Sequence, residues 1–425
     1  MAFVYKARIA DRILERKLEG KGAVLIEGPK WCGKTTTAEQ RAKSILYMDS
    51  PEDFESNLRM VDISPRLLLE GESPRLIDEW QLAPKLWDAI RFEADHRHGT
   101  GLFILTGSAV PIDEKEMKHS GTGRFGWVTM RPMSLYESGE SNGAVSLGTL
   151  FNSAGNIAVV NSLELEDIAF LICRGGWPFA CSLKGNTALD QAFDYVEAVT
   201  KKDISRVDKV RRSPTTARLL MRSYARNIGT QATLGTLVAD MAPNEESSID
   251  EKTASSYIEA LKKIFVIEDS EAWNPNLRSK AAIRTSNTRY FVDPSIGTAI
   301  LGLGPNDLIN DLNTMGLMFE SLCIRDLRVY ADALNGQVFH FRDKYGLECD
   351  AVIHLRDGRY GLIEIKLGGD RLIEEGAKNL KGLAEKIDPD KMKQPSFLMV
   401  LTAVGKYAYC RNDGVYVVPI GCLKD

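Results

Sequence analysis

The chain has only five histidines in 425 residues, and its seven cysteines (Cys32, Cys173, Cys181, Cys323, Cys349, Cys410 and Cys422) include no Cys-x-x-Cys pair. These shortages exclude the usual spacing of a structural zinc site. An odd, scattered set of thiols also argues against a disulfide framework and predicts reduced cysteines in a cytosol. Long apolar runs are missing too, none approaching the roughly 20 residues that cross a bilayer. The opening Met1-Ala2-Phe3-Val4-Tyr5-Lys6 lacks the layout of a signal peptide. A soluble, cytoplasmic protein with no membrane association is expected. There is little net charge: 54 basic residues against 58 acidic give −4. That excludes a wholly basic nucleic-acid coat and leaves room for a local basic surface. The length exceeds one ordinary core, so two or three domains are expected.

What is present begins at Val24-Leu25-Ile26-Glu27, an apolar run that opens into Gly28-Pro29-Lys30-Trp31-Cys32-Gly33-Lys34-Thr35-Thr36. Gly-x-x-x-x-Gly-Lys-Thr between a predicted strand and a predicted helix is a Walker A phosphate loop. Gly28 and Gly33 let backbone N–H groups curl around phosphate oxygens. Lys34 supplies a charge to the β- and γ-phosphates, the Thr35 hydroxyl takes one position on Mg²⁺, and the following helix aims its positive end at the anion. ATP and Mg²⁺ are therefore the expected ligands. Downstream, Arg75-Leu76-Ile77-Asp78-Glu79-Trp80 reads as a strand ending in a Walker B pair, Asp78 on Mg²⁺ and Glu79 polarising the attacking water. The strand-like Phe103-Ile104-Leu105-Thr106-Gly107-Ser108 places Thr106 or Ser108 as a hydroxyl sensor of hydrolysis, with a turn cap as the structural alternative. Gly121-Thr122-Gly123-Arg124 offers Arg124 as a cationic finger, or as a plain surface arginine.

The ordered set GPKWCGKTT, LIDEWQ, LTGS and GTGRF, followed by WVTMRPMSLYE, resembles a prokaryotic family of AAA-type ATPases that join an N-terminal ATPase to a C-terminal region combining a winged helix with a PD-(D/E)XK nuclease-like fold. The resemblance implies an α/β chain: a P-loop AAA-type core over 1–140 with a parallel sheet, a linker and helical lid over 141–200, a winged helix over 201–300 and an α/β nuclease-like domain over 301–425. Within it, Asn142 to Glu166 reads as a loop excursion, and the helical stretch before Gly175-Gly176-Trp177-Pro178 as the lid, with Arg174 either a second sensor or a salt-bridged lid residue.

Between Lys201 and Arg226 nine bases (Lys201, Lys202, Arg206, Lys209, Arg211, Arg212, Arg218, Arg222 and Arg226) face only Asp203 and Asp208. Arg218, Arg222 and Arg226 share one helix face, a stripe suited to a DNA backbone or simply to solvent. Helical stretches from Thr233, broken at Pro243, and from a Ser248 or Asp250 cap to Ile264 precede strand-like Phe265–Asp269, a turn at Trp273-Asn274-Pro275-Asn276, and Arg289–Pro294, the order of a winged helix. Finally, a helix carrying Glu320 precedes strands holding Asp350 and then Glu364-Ile365-Lys366. Alternation puts Glu364 and Lys366 on one face, and Asp350 on the paired strand can join them. The Asp-x13-Glu-x-Lys pattern resembles the PD-(D/E)XK signature, in which Asp350, Glu364 and Glu320 hold Mg²⁺ and Lys366 orients water. Two functions remain open: ATP-driven DNA processing, or a nucleotide switch that holds protein partners and cuts nothing. Oligomeric state is not encoded in these motifs.

Overall fold

The computed structural model describes residues 4–107, 120–153, 155, 157–208, 210–241, 249–274, 286–343, 345–388, 390 and 392–425. The chain divides into two compact units. The first comprises Met1–Pro132, Lys201–Ser213 and Ile258–Val266, and the second Met133–Thr200, Pro214–Tyr257 and Ile267–Asp425.

The first unit is built on a five-stranded sheet of β1 (Ala23–Glu27), β2 (Ser44–Tyr47), β3 (Arg75–Asp78), β4 (Phe103–Gly107) and β5 (Phe125–Thr129), in the order β2-β3-β4-β1-β5. Every pairing is parallel. The sequence shows why: Ala23 to Ile26 and Phe103 to Leu105 are buried without alternation, the signature of strands covered on both faces. Leu25, Ile77 and Leu105 pack with Trp80, Trp87, Ile90 and Phe125 in one core, where Trp87 stacks on Phe125 with ring centroids 3.9 Å apart. Because the strands are parallel, their C-terminal ends share one edge. Glu27, Asp78 and Gly107 stand there, and the register sets Thr106 beside both Ile26 and Asp78.

The second unit contains a seven-stranded sheet ordered β7-β12-β13-β11-β10-β9-β8. Its members are β7 (Ala158–Val160), β8 (Gly336–Arg342), β9 (Glu348–Leu355), β10 (Tyr360–Lys366), β11 (Phe397–Thr402), β12 (Tyr407–Cys410) and β13 (Val415–Pro419). β8, β9 and β10 form an antiparallel meander, after which the helix Asp370–Lys386 carries the chain to β11, parallel to β10. A parallel neighbour requires such a crossover. The helix Leu312–Ala333 leads into β8.

The stretch from Asn142 to Glu166 is not the loop excursion its composition predicts. It supplies β7 and also β6 (Val145–Ser146), which pairs with β14 (Leu423–Lys424). Strands of two and three residues need no apolar run, so their composition looks like a loop. The helix Leu165–Arg174, expected as a lid on the ATPase, likewise belongs to the second unit, and the expected boundaries of 1–140, 141–200, 201–300 and 301–425 cut across the division. The helices Pro214–Arg226, Leu234–Met241 and Glu251–Lys263 are followed by antiparallel bridges Ile267↔Phe291 and Ser270↔Thr288. Phe265–Asp269 thus takes part in isolated bridges and not in a continuous strand. Lys209, Pro243, Ser248, Pro275 and Asn276 lie outside the described residues. Among the described helices, none is long and apolar enough to cross a membrane.

Candidate functional site

The phosphate loop runs from the end of β1 into the helix Lys34–Glu39. Gly33 precedes that helix with φ 97°, and Gly28 has φ 152° with a carbonyl of Met130 where a Cβ would stand. Neither position admits another residue without strain. Pro29 and Cys32 are buried, the Cys32 thiol reaches the Met130 carbonyl at 3.5 Å, and Trp31 is half-exposed with φ 66°. Lys30 pairs with Asp203 at 2.6 Å. The Lys34 ammonium donates to the carbonyls of Gly28 at 2.9 Å and Pro29 at 2.8 Å. Thr36 is partly buried on the first turn of the helix.

The Walker B strand meets this loop. Thr35 Oγ1 donates to Asp78 Oδ1 at 2.8 Å, and Thr106 donates to the same oxygen. Burial raises the Asp78 carboxyl, while the two hydroxyls oppose the shift. Glu79 is also raised, first by burial and then by the charge of Asp78, and accepts a hydrogen bond from Gln81. A hydroxyl and a carboxylate oxygen side by side are the donors that Mg²⁺ takes, so Thr35 and Asp78 fit the ion. Ser108, the other sensor candidate, lies outside the described residues.

Arg124 is not brought to this edge. It immediately precedes β5, its carbonyl accepts from the Ala23 N–H at the start of β1, and its guanidinium pairs with Asp95 at 2.6 Å. Five residues of strand separate that end from the phosphate loop, about 16 Å at the usual rise, so Arg124 cannot serve as a finger to its own chain's site. Arg174 is buried against Glu140 at 2.5 Å, the salt-bridged alternative. Arg8 was not legible as part of the site. Its guanidinium holds the carbonyls of Cys32 and Arg131, both at 2.8 Å, and a buried arginine on an otherwise amphipathic helix start is the only signal it leaves.

In the second unit, Lys366 Nζ lies 2.6 Å from Glu364 Oε2 and 3.2 Å from Asp350 Oδ2, and the Ile365 N–H donates to Asp350 Oδ2 at 2.7 Å. Glu320 accepts a hydrogen bond from the Tyr290 hydroxyl. Burial, then the charge of Asp350, pushes both Glu320 and Glu364 up to about 8. Burial opposes the Lys366 charge, but Asp350 and Glu364 outweigh it and hold the ammonium protonated. The four predicted residues are thus neighbours. Among the described residues, no group of three His, Cys, Asp or Glu side chains is close enough to hold a metal, and Glu320, Asp350 and Glu364 stand near one another around Lys366. The Lys366 ammonium lies beside both Asp350 and Glu364, two carboxylates that would otherwise repel.

The basic stripe is also partly neutralised. Arg212 is buried and pairs with Asp208 at 2.6 Å. Arg218, Arg222 and Arg226 share an exposed face, but Arg218 lies 3.2 Å from Glu197 and Arg226 lies 3.4 Å from Asp240.

Residues 20–139 match the model of a family described as an AAA domain. Residues 165–307 and 315–423 match two families described as domains of unknown function, DUF8612 and DUF4143. No curated protein matches the chain. Among solved structures, the Walker-type ATPase PABY2304 of Pyrococcus abyssi is 15% identical, with 71% of this chain and all of that one covered at a TM-score of 0.42. The Hef helicase domain of Pyrococcus furiosus is 12% identical, with 94% and 90% covered at a TM-score of 0.20. Both overlaps are too loose to assign a fold. The family match over residues 20–139 supports an AAA-type P-loop domain in the N-terminal region.

Proposed function

We propose that the chain binds ATP with Mg²⁺ and hydrolyses it at the edge where β1, β3 and β4 end. The observation that carries this reading is the bond from Thr35 of the phosphate loop to Asp78, which also accepts from Thr106. The backbone N–H groups of the loop other than Pro29, which has none, and the charge of Lys34 cradle the phosphates, with Gly28, Pro29, Lys30, Trp31, Cys32, Gly33 and Thr36 making up the loop. Thr35 and Asp78 hold the metal. When bound, Mg²⁺ neutralises charge on the transferred phosphoryl oxygens. Glu79 takes a proton from the attacking water, a role that suits a carboxylate whose affinity for protons is raised. Lys34→Ala should abolish calorimetric binding of Mg-ATP, and retained affinity would sink the reading.

A second reading rests on Glu364 Oε1, which is buried and has no hydrogen-bond partner among the described residues. An unsatisfied carboxylate oxygen beside Asp350 and Lys366 supports a metal-assisted phosphodiesterase, with Asp350 and Glu364 as ligands, Glu320 nearby and Lys366 orienting water. The three helices and the bridged ribbon between Pro214 and Phe291 support a winged helix, and the Lys201 to Arg226 bases a DNA contact. ATP turnover would then drive DNA processing. DNA cleavage with Mg²⁺ or Mn²⁺ that disappears in Lys366→Ala supports it, whereas no cleavage of single-stranded, duplex or branched DNA, with or without ATP, leaves a nucleotide switch with protein partners.

A further inference from the structure

We infer that Gln81 is a positioning residue for ATP hydrolysis, holding the Glu79 carboxylate at the edge where β3 and β4 end. The inference rests on the ATPase reading above. Gln81 lies in the short helical turn Trp80–Leu82, which begins where β3 stops. Glu79, between the strand and the turn, has a left-handed backbone with φ 52°. Such a conformation is uncommon outside glycine, and it takes the carboxylate off the direction of the strand. Gln81 Nε2 donates to that carboxylate at Glu79 Oε2.

The other end of the amide is equally informative. Gln81 Oε1 is buried and accepts no hydrogen bond among the described residues. It stands where a Cβ on Gly107, the last residue of β4, would be. Turning the amide over would satisfy nothing, because it would set oxygen against the Glu79 carboxylate. A buried acceptor left unpaired costs about 1–3 kcal/mol, and such exceptions in a native core call for a reason. Here the reason is the bond to Glu79, which holds the amide packed against Gly107 at the strand end that carries Thr106. Gly107 leaves the room this requires. In the sequence Gln81 stands only as the last residue of LIDEWQ and has no role of its own there, because an uncharged glutamine after a Walker B pair belongs to no spacing rule.

Steady-state hydrolysis and Mg-ATP calorimetry on the full chain test this with Glu79→Gln, Gln81→Ala, the double variant and Gly107→Ala. Gln81→Ala should lower kcat by about 10- to 100-fold, below the loss of a full general base, while KM and the affinity for Mg-ATP change less than about twofold, because only transition-state positioning is removed. The double variant should be no slower than Glu79→Gln, since Gln81 acts through Glu79. Gly107→Ala, which keeps Gln81 but displaces its amide, should lower kcat in the same direction, and it answers the question if Gln81→Ala does not fold. Wild-type kcat in both Gln81→Ala and Gly107→Ala beside an inactive Glu79→Gln would overturn the inference alone. So would a double variant slower than Glu79→Gln, or affinity lost in step with kcat. Wild-type turnover in Glu79→Gln would overturn Glu79 as the base, and the inference with it.

Discussion

The two candidate sites bury carboxylates in different company. At the phosphate loop, Asp78 is satisfied by the neutral hydroxyls of Thr35 and Thr106, while Lys34 donates to loop carbonyls. In the second unit, Asp350 and Glu364 share one ammonium, Lys366. Hydroxyl donors leave a carboxylate its charge, so a cation arriving there has an anion to meet. A lysine bridge spends that charge in advance, and any metal must compete with it. The carboxylate of the first site is held by neutral donors, whereas those of the second already have a cation beside them.

The sharpest way to break this contrast is to remove the bridge. Lys366→Met strands Asp350 and Glu364 in the interior and should destabilise the protein by about 3–5 kcal/mol, the usual effect of halving a buried pair. Urea unfolding measures it, and adding Glu364→Gln should recover much of the loss. Unchanged stability in the single variant would mean that the carboxylates are balanced by something else.

A smaller effect follows from Glu320. Its carboxyl is raised from 4.5 to about 8, first by burial and then by Asp350. A raised folded value means that the unfolded chain releases the proton first, so the stabilisation is complete below about pH 4.5 and lost as pH rises through 8. Glu364 shares this window. Glu320→Gln should therefore flatten the fall in urea midpoint between pH 5 and pH 8.5 without abolishing it. An unaltered pH dependence would show that Glu320 is ionised in the folded protein.

The smallest effect belongs to the arginine stripe. Arg218 and Arg226 already face Glu197 and Asp240 at the surface, where such pairs contribute about 0–1 kcal/mol. Replacing Arg218, Arg222 and Arg226 together by alanine should leave stability nearly unchanged. It should reduce the salt slope of any duplex binding by about one unit, for Arg222, and not by three. A drop of three would mean that DNA displaces both acidic partners.

The same contrast explains what the sequence disclosed. The phosphate loop was legible because its chemistry is done by backbone in one contiguous segment, where Gly28, Gly33, Lys34 and Thr35 have positions that nothing else can take. The strands β1, β3 and β4 were legible because burial on both faces writes an unbroken apolar run. Asp350, Glu364 and Lys366 could be placed on one face by alternation, yet alternation does not say whether a lysine points between two carboxylates or away from them. Tyr290, whose hydroxyl reaches Glu320, read only as part of a strand. Glu197 and Asp240 lie outside the window in which the basic residues cluster, so the stripe looked barer than it is. β6 and β7 escaped because strands of two and three residues need no pattern of their own, and Arg124 stayed open between a finger and a surface arginine because a glycine-rich loop does not reveal at which end of a sheet it lies.

Single-turnover hydrolysis tests the central claim most directly. With enzyme in excess over radiolabelled ATP and Mg²⁺ present, wild type should convert the bound nucleotide to ADP and phosphate. Glu79→Gln should bind it with unchanged affinity and leave it intact over the same interval. Equal rates of phosphate release from the two proteins would contradict the assignment of Glu79 as the catalytic base.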